Sequence, residues 1–581
     1  MFLRYLIRIN IYIIYKMHIL YITINLKYTL VLSSFMDPIS SLVPALILGG
    51  LAFYFVYDTL TMALFGALFS PLVASFMTAF VTMAIYHTDP VSALAAAATI
   101  GGTLQLAALG LYTYGGASIP DFMSASMIAT YYSIAYGIAP TTAISIAAPI
   151  AVFLIELDVL ARTLNVPFIH MADRAVAAGK LWNVRWIAWL GLFPWGFSRF
   201  IPVFLGVYFG PVVAHFITTV IPEWVNHGFV AVGAVLPVVG LALLLTYLPT
   251  RKYFAYALIG YALAAYLHIP ILGVFIILAG LALTYMSIKQ EAAKATGGAG
   301  STATDGDAVA GNDAVAGKPY TKITRKDLLW TYIKGLLHFQ VAWNYERMQA
   351  LDYLYNITHI LGKLYPDPEA RKRAYQLHLQ FYNTNPNTHY IIQGMDIAIE
   401  EQRGLDEDAI NSVKAGFMGP FAGIGDSLFY STLDVLILAL AASFVLSGIW
   451  WAWTAQILYG LFVLIPIRYF FLKWGYEGFT GVARFTETLK YLAEFLGMVG
   501  VGIVAALIYL YVPVTIPITI TTATHTTVSI QSMINTILPG LIPVLFAGFA
   551  YWLYTKRISV AKVVGIIFVI AFILGVLGIL G

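Results

Sequence analysis

The chain of 581 residues contains no cysteine, so disulfides, thiolate metal sites and cysteine nucleophiles are excluded. Charge is also scarce: Asp, Glu, Lys and Arg make up 10% of residues, against about 25% in soluble domains. The net charge is only +4, with no long basic stripe carrying interleaved aromatics, which argues against a nucleic-acid partner. His338, His359, His378 and His389 lack metal-ligand spacing, so no metal is expected. What is abundant is apolar: 60% of residues are hydrophobic and the mean hydropathy is +0.82. That composition predicts an all-α polytopic membrane protein.

Residues 1–35 are rich in Ile, Tyr and Leu, but Arg4, Arg8, Lys16 and Lys27 interrupt any bilayer-length apolar run. They read as an extension ahead of a start at Met36, with an interfacial helix as the alternative. Ten apolar segments follow between residues 42 and 287. Residues 289–318, KQEAAKATGGAGSTATDGDAVAGNDAVAGK, exchange large apolar residues for Gly, Ala, Ser, Thr and Asp and read as a flexible tether. Residues 319–413 are charged and amphipathic, too polar to span lipid, and read as water-exposed helices. Apolar segments return in the final part, 414–581. The expected organisation is thus a membrane half (36–288), a tether (289–318) and a second unit (319–581) combining aqueous helices with a membrane part. Basic connections at 162–185, 251–252, 289–294, 468–473 and 556–557 fall on one side if residues 211–221 are re-entrant. By the positive-inside tendency that side is cytoplasmic, and residues 289–425 face it.

Two stretches are too rich in glycine for ordinary spans. In IGGTLQLAALGLYTYGGASIPD (100–121), Gly102, Thr103, Gln105 and Asp121 could form a broken helix at a substrate site, or the glycines could serve close helix packing. KAGFMGPFAGIGDS (414–427) lacks the Lys-Ser/Thr of a phosphate loop and follows a helical pattern rather than a strand, which removes the nucleotide reading. A re-entrant bend carrying Gly425, Asp426 and Ser427 is expected instead. No cofactor is expected. Asp58, Glu156 and Asp158 lie at apolar spans, where an ionisable group costs about 2.5–3.5 kcal/mol and is a functional candidate. Arg162, four residues after Asp158, favours an ion pair there. Glu400, Glu401 and residues 406–408 read as a solvated face.

AWNYERMQALDY (342–353), FYNTNPN (381–387), AIEEQR (398–403) and KAGFMGPFAGIGDSLFY (414–430), in this order, resemble the IID membrane component of the mannose/fructose/sorbose-family sugar phosphotransferase system. The 100–121 stretch and HMADRAVAAGK (170–180) resemble its IIC component. The resemblance implies the membrane permease part of a protein-N-phosphohistidine–sugar phosphotransferase, fused in one chain and assembling as a trimer. It also implies soluble IIA and IIB phosphocarrier partners, with a IIB phosphohistidine donating phosphate to the C6 hydroxyl of a hexose-type sugar. On that reading, transport is elevator-like or rocking. Asp58, Gly102, Thr103 and Gln105 hold sugar from one side, and Asn344, Glu346, Asn383, Gly425 and Asp426 hold it from the other, with Asp426 orienting the hydroxyl. With no IIA- or IIB-like domain in the chain, a facilitator or sensor uncoupled from phosphorylation is the alternative.

Overall fold

The computed structural model describes residues 36–55, 70–109, 121–210, 223–295, 323–404, 407–477, 482–521 and 527–580. Asp58, the 1–35 extension and the proposed re-entrant segment at 211–221 lie outside the described residues.

The first half comprises α1 (Met36–Phe55), α2 (Pro71–Tyr86), α3 (Pro90–Ala108), α4 (Phe122–Tyr136), α5 (Pro140–Leu164) and α6 (Val166–Ala177). It continues with α7 (Asn183–Leu190), α8 (Leu192–Tyr208), α9 (Glu223–Val235), α10 (Pro237–Tyr247), α11 (Phe254–Ala265) and α12 (Ile271–Ala295). Its helix starts are written locally. Ser70 and Asp89 each precede a proline, and their side chains accept from the amides of Val73 at 3.2 Å and Ser92 at 2.8 Å. A proline at the first helical position loses only an N–H that had no partner, and the cap satisfies another.

The polar region holds α13 (Arg325–His338), α14 (Ala350–Leu364), α15 (Pro368–His378) and α16 (His389–Arg403). The last part comprises α17 (Glu407–Gly425), a π-helical segment (Asp426–Leu433), α18 (Asp434–Leu446), α19 (Thr454–Tyr459), α20 (Ile465–Glu477) and α21 (Val482–Tyr511). After these come two short antiparallel strands, β1 (Thr519–Thr521) and β2 (Thr527–Ser529), then α22 (Ile530–Ile537), α23 (Leu541–Thr555) and α24 (Val560–Val576). Among the described residues six helices are long and apolar enough to cross a membrane, or seven if α22 and α23, bent by 73°, form one span. The two halves are not separate bodies: α3 packs on α18, α11 on α21, α9 on α24 and α10 on α23.

Several expectations change. Gly102–Gln105 sit within α3, which is regular to Ala108, and residues 110–120 of that stretch lie outside the described residues; Gly102 lies so close to α18 that a Cβ there would be 2.7 Å from Leu446 Cγ. That is the packing use of glycine. KAGFMGPFAGIGDS is likewise no re-entrant bend. It lies in a helical run from Glu407 to Leu446, with Pro420 inside α17. The break in regularity is the π-helical segment, which opens at Asp426. The boundary expected between residues 413 and 414 therefore falls inside a helix. Residues 289–295, KQEAAKA, expected in the tether, are built of good helix formers and extend α12 to Ala295, and residues 296–322 lie outside the described residues. Arg468 is no loop residue: it lies in α20 and is completely buried.

The polar helices are also less solvated than their charge suggests. Glu400 is buried, with the His378 imidazole 2.8 Å away. Lys414 Nζ reaches the other ring nitrogen of His378 at 2.6 Å and Asp396 at 3.8 Å, and the Tyr353 hydroxyl donates to Asp396. Burial pushes the Asp396 carboxyl up to about 6, raises that of Glu400 and lowers the His378 imidazole. Glu401 is half-buried and accepts from the Ile323 amide and the Tyr476 hydroxyl, whereas Glu407 and Asp408 are exposed.

Candidate functional site

Asp426 sits where α17 gives way to the π-helical segment, a type of irregularity frequent at functional sites. The Asn385 amide donates to its carboxylate at 2.7 Å. The approach is possible because position 425 is glycine: a Cβ there would lie 2.5 Å from both Cβ and Cγ of Asn385. Asn385 is itself fixed, its side-chain oxygen accepting from the Asn387 amide at 2.8 Å.

The loop bearing these asparagines is pinned to the helix it faces. Thr384 donates through its hydroxyl to the Met418 carbonyl at 3.0 Å, and Thr388 to the Phe421 carbonyl at 2.9 Å. From α14's start, Gln349 exchanges two hydrogen bonds with the Thr384 backbone, at 2.8 and 2.9 Å. Asn387 accepts from Arg468 Nε at 2.7 Å, joining α20 to the loop. Two turns beyond Asp426, Asp434 accepts from the Tyr459 hydroxyl at 2.6 Å. The outcome is an arc of the half-buried Asp426 and the buried Asn385, Asn387 and Arg468. A carboxylate, two amides and a guanidinium provide both acceptors and donors, which suits a polyhydroxyl ligand.

Asp58 lies outside the described residues, and the other eight expected site residues do not come together. Gly425 and Asp426 are in the arc. Asn383 is half-buried two residues short of Asn385, and it is Asn385 that reaches Asp426. Asn344 is buried and organises its own turn, accepting from the amides of Glu346 at 3.1 Å and Arg347 at 2.9 Å. Glu346 lies at the junction of the two halves, 2.8 Å from His170, beside the paired contacts of Arg347 with Asp173, both 2.8 Å. Gln105 is buried and accepts from the Ser70 hydroxyl at 2.8 Å, tying α3 to the start of α2. Gly102, Thr103 and Gln105 are remote from Asp426. Gly102 abuts Leu446, twenty residues beyond Asp426 in the same helical run, or about 30 Å at 1.5 Å per residue.

Asp121 also leaves the site. It caps α4, accepting from the Ser124 amide at 3.1 Å, and pairs with Arg199 at 3.2 Å. Arg199 pairs in turn with Asp158 at 2.9 Å, and Asp158 with Arg162 at 2.8 Å, the pairing expected from the spacing. Arg162 stacks over the Trp343 ring of the second half, 4.5 Å from its centroid.

Asn385, Asn387, Arg468, Asp434 and Tyr459 were not among the expected site residues. For Arg468 a signal existed: it is a single charge inside an apolar stretch, the feature that drew attention to Asp58.

Comparisons with known proteins cover both halves. The model of the PTS system mannose/fructose/sorbose family IID component matches residues 322–580, and that of the PTS system sorbose-specific IIC component matches residues 42–285. The mannose-specific EIID component of Escherichia coli (strain K12) is 33% identical over 274 residues, covering 45% of this chain and 96% of that protein. The fructose permease IID component of Bacillus subtilis (strain 168) is 30% identical over 273 residues, covering 44% of this chain and 96% of the relative. The mannose-specific EIIC component of Escherichia coli (strain K12) is 30% identical over 193 residues, covering 33% of this chain and 73% of that protein. The chain therefore belongs to the mannose/fructose/sorbose family of phosphotransferase-system membrane permeases, with a IIC-type and a IID-type unit in one polypeptide.

Proposed function

We infer that the chain carries a hexose-type sugar across the cytoplasmic membrane and presents it for phosphorylation by a soluble IIB partner, itself charged through IIA. The observation that carries the site assignment is the state of Asp426. Among the described residues its carboxylate takes one neutral amide hydrogen bond, from Asn385, and no cation. A carboxylate has about four acceptor positions, so several remain for sugar hydroxyls, while Asn387 and Arg468 add donors nearby.

In the proposed reaction the C6 hydroxyl oxygen attacks the phosphorus of the IIB phosphohistidine. The P–N bond breaks, the imidazole leaves, and the hydroxyl proton passes to the carboxylate that orients it or to water. Phosphoryl transfer depends mainly on positioning and charge stabilisation, which a fixed Asn385–Asp426 pair can supply without a strong base. Gly102, Thr103 and Gln105 then act in helix packing rather than as sugar ligands. A trimer of the fused chain is the proposed assembly, and residues 36–288 and 319–581, joined by the tether, are the proposed units.

Uptake of labelled mannose, fructose, sorbose and glucosamine into vesicles tests the reading. With phosphorylated IIB supplied inside, at least one sugar should accumulate as its phosphate. Equal uptake with and without phosphorylated IIB, and no phosphosugar, would reject coupling in favour of a facilitator.

A further inference from the structure

The short helix α22 repeats its apolar residues at helical spacing: Ile530, Met533, Ile534 and Ile537 share one face, and Gln531, Ser532, Asn535 and Thr536 the other. The protein covers only one edge of the apolar face. Ile530, Gln531 and Ile534 are half-buried, while Met533 is 54% and Ile537 81% exposed. Ile518, whose carbonyl accepts from the Ile530 amide at 3.0 Å, and Ile520 of β1 are exposed as well.

The corner after α22 is fixed against the bundle. Gly540 has φ +72°, and a Cβ there would lie 2.6 Å from the Tyr509 ring of α21. The Tyr261 hydroxyl of α11 donates to the Pro539 carbonyl. From this corner α23 leaves at 73° to α22, so α22 runs across the end of an apolar membrane helix rather than along it. Its depth follows from the length of α23. Lys556 and Arg557, the first acidic or basic residues after Glu494, mark one membrane boundary. From Gly540 to Lys556 is 16 residues, about 24 Å at 1.5 Å per residue, against a hydrocarbon core of about 30 Å. The corner therefore falls about 6 Å inside the opposite boundary.

We propose that α22 lies in the lipid–water interface at the membrane face opposite Lys556, with Met533 and Ile537 among the acyl chains and Ser532, Asn535 and Thr536 toward water. The bilayer is the partner that covers this apolar face, which continues the lipid contact of α23. Residues 495–555 contain no Asp, Glu, Lys or Arg, so the segment enters the interface without stripping water from a charge and carries no charge to steer a protein partner. Its polar face also supplies many of its own hydrogen bonds. The hydroxyls of Ser532 and Thr536 donate to the carbonyls of Ser529 at 2.7 Å and Ser532 at 2.9 Å. Gln531 donates to the Asn535 side chain and accepts from the Ile516 amide, both at 2.9 Å. Such internal bonding suits a layer where water is scarce. Through its bonds to Ile516 and Ile518, the anchored helix holds the β1–β2 hairpin at the membrane surface.

The proposal is independent of the sugar reading and is tested without transport. The full chain contains no cysteine, so Ser532→Cys, Met533→Cys, Asn535→Cys and Ile537→Cys each carry a single nitroxide label without background. In phosphatidylcholine nanodiscs, the accessibility of each label to oxygen and to a water-soluble nickel chelate is read by power saturation. Labels at 533 and 537 should favour oxygen and report a depth of about 5–10 Å, whereas those at 532 and 535 should favour nickel and lie at or outside the boundary. Equal depth at all four positions, or nickel access at 533 and 537 matching that at 532 and 535, would overturn the proposal. Shielding of 533 and 537 from both reagents would overturn it too, in favour of cover by a second copy of the chain or another protein. Should Ile537→Cys fail to fold, Met533→Cys, on the same face, decides alone.

Discussion

The Asp121 network of the first half and the Asp426 arc of the second treat charge in opposite ways. In the first, Asp121, Arg199, Asp158 and Arg162 form a closed set of two acids and two guanidiniums, each within 3.2 Å of an opposite charge. In the second, Asp426 has a single neutral amide among the described residues, and Arg468 donates through Nε to Asn387. A balanced network fixes helices against one another and leaves little capacity for a ligand. A carboxylate held by one amide keeps its capacity, and needs a rigid surround to remain in place. The clamps from Thr384, Thr388 and Gln349 provide that surround.

The contrast can be broken at several points. Arg199→Met would take the paired guanidinium from Asp121 and leave Asp158 with Arg162 alone, and breaking a buried pair from one side costs about 3–5 kcal/mol. Thermal unfolding in detergent should show a large loss; an unchanged Tm would mean that the first-half network does not hold the fold. Gly425→Ala puts a methyl group into Asn385, with overpacking strain of about 1–3 kcal/mol. Sugar affinity should fall more steeply than stability, and the reverse order would place Gly425 in packing alone. Asn385→Ala should raise the apparent KM for sugar about tenfold, the scale of one hydrogen bond to a charged group, and Asn383→Ala should do less. Equal effects of the two would remove the preference for Asn385.

The smallest effect lies at a surface latch between the halves. Glu494 accepts from Lys252 and Lys289, both at 2.9 Å, and from the Tyr253 hydroxyl at 2.6 Å. Lys289 and then Tyr253 hold its carboxyl down to about 2. The folded value lies below the unfolded one, so this stabilisation is complete above about pH 4.3 and is lost as pH falls toward about 2. Both lysines are more than half exposed, so Glu494→Gln should cost less than about 1 kcal/mol at neutral pH. The gap in Tm between variant and wild type should close in acid; a constant gap would rule out the charge as its source.

The fold class, the two apolar halves and the polar helices between them were legible in the sequence because apolar run length and charge density report directly on the bilayer. The Asp158–Arg162 pair was legible because helical spacing puts such residues on one face. The site was legible only in part. Asp426 and Gly425 could be singled out from a glycine-rich stretch ending in an acid, but that stretch proved helical, since glycine and proline inside a membrane helix do not by themselves bend it back. Asn383 and Asn385 are equivalent in composition and differ only in which one the loop turns toward the helix. Gly102 and Gln105 shared the glycine signal of a substrate site, yet serve close packing and a hydrogen bond between α2 and α3. Glu400 read as solvated because burial of a charge depends on partners, here His378, from another helix.

The central claim is that Asp426 orients the sugar and does not hold the fold. Asp426→Asn in proteoliposomes, supplied with phosphorylated IIB, tests it most directly, with thermal unfolding measured on the same preparation. The account predicts sugar-phosphate formation reduced about a hundredfold, the scale of lost positioning, with Tm close to wild type. Formation of sugar phosphate at the wild-type rate would contradict it.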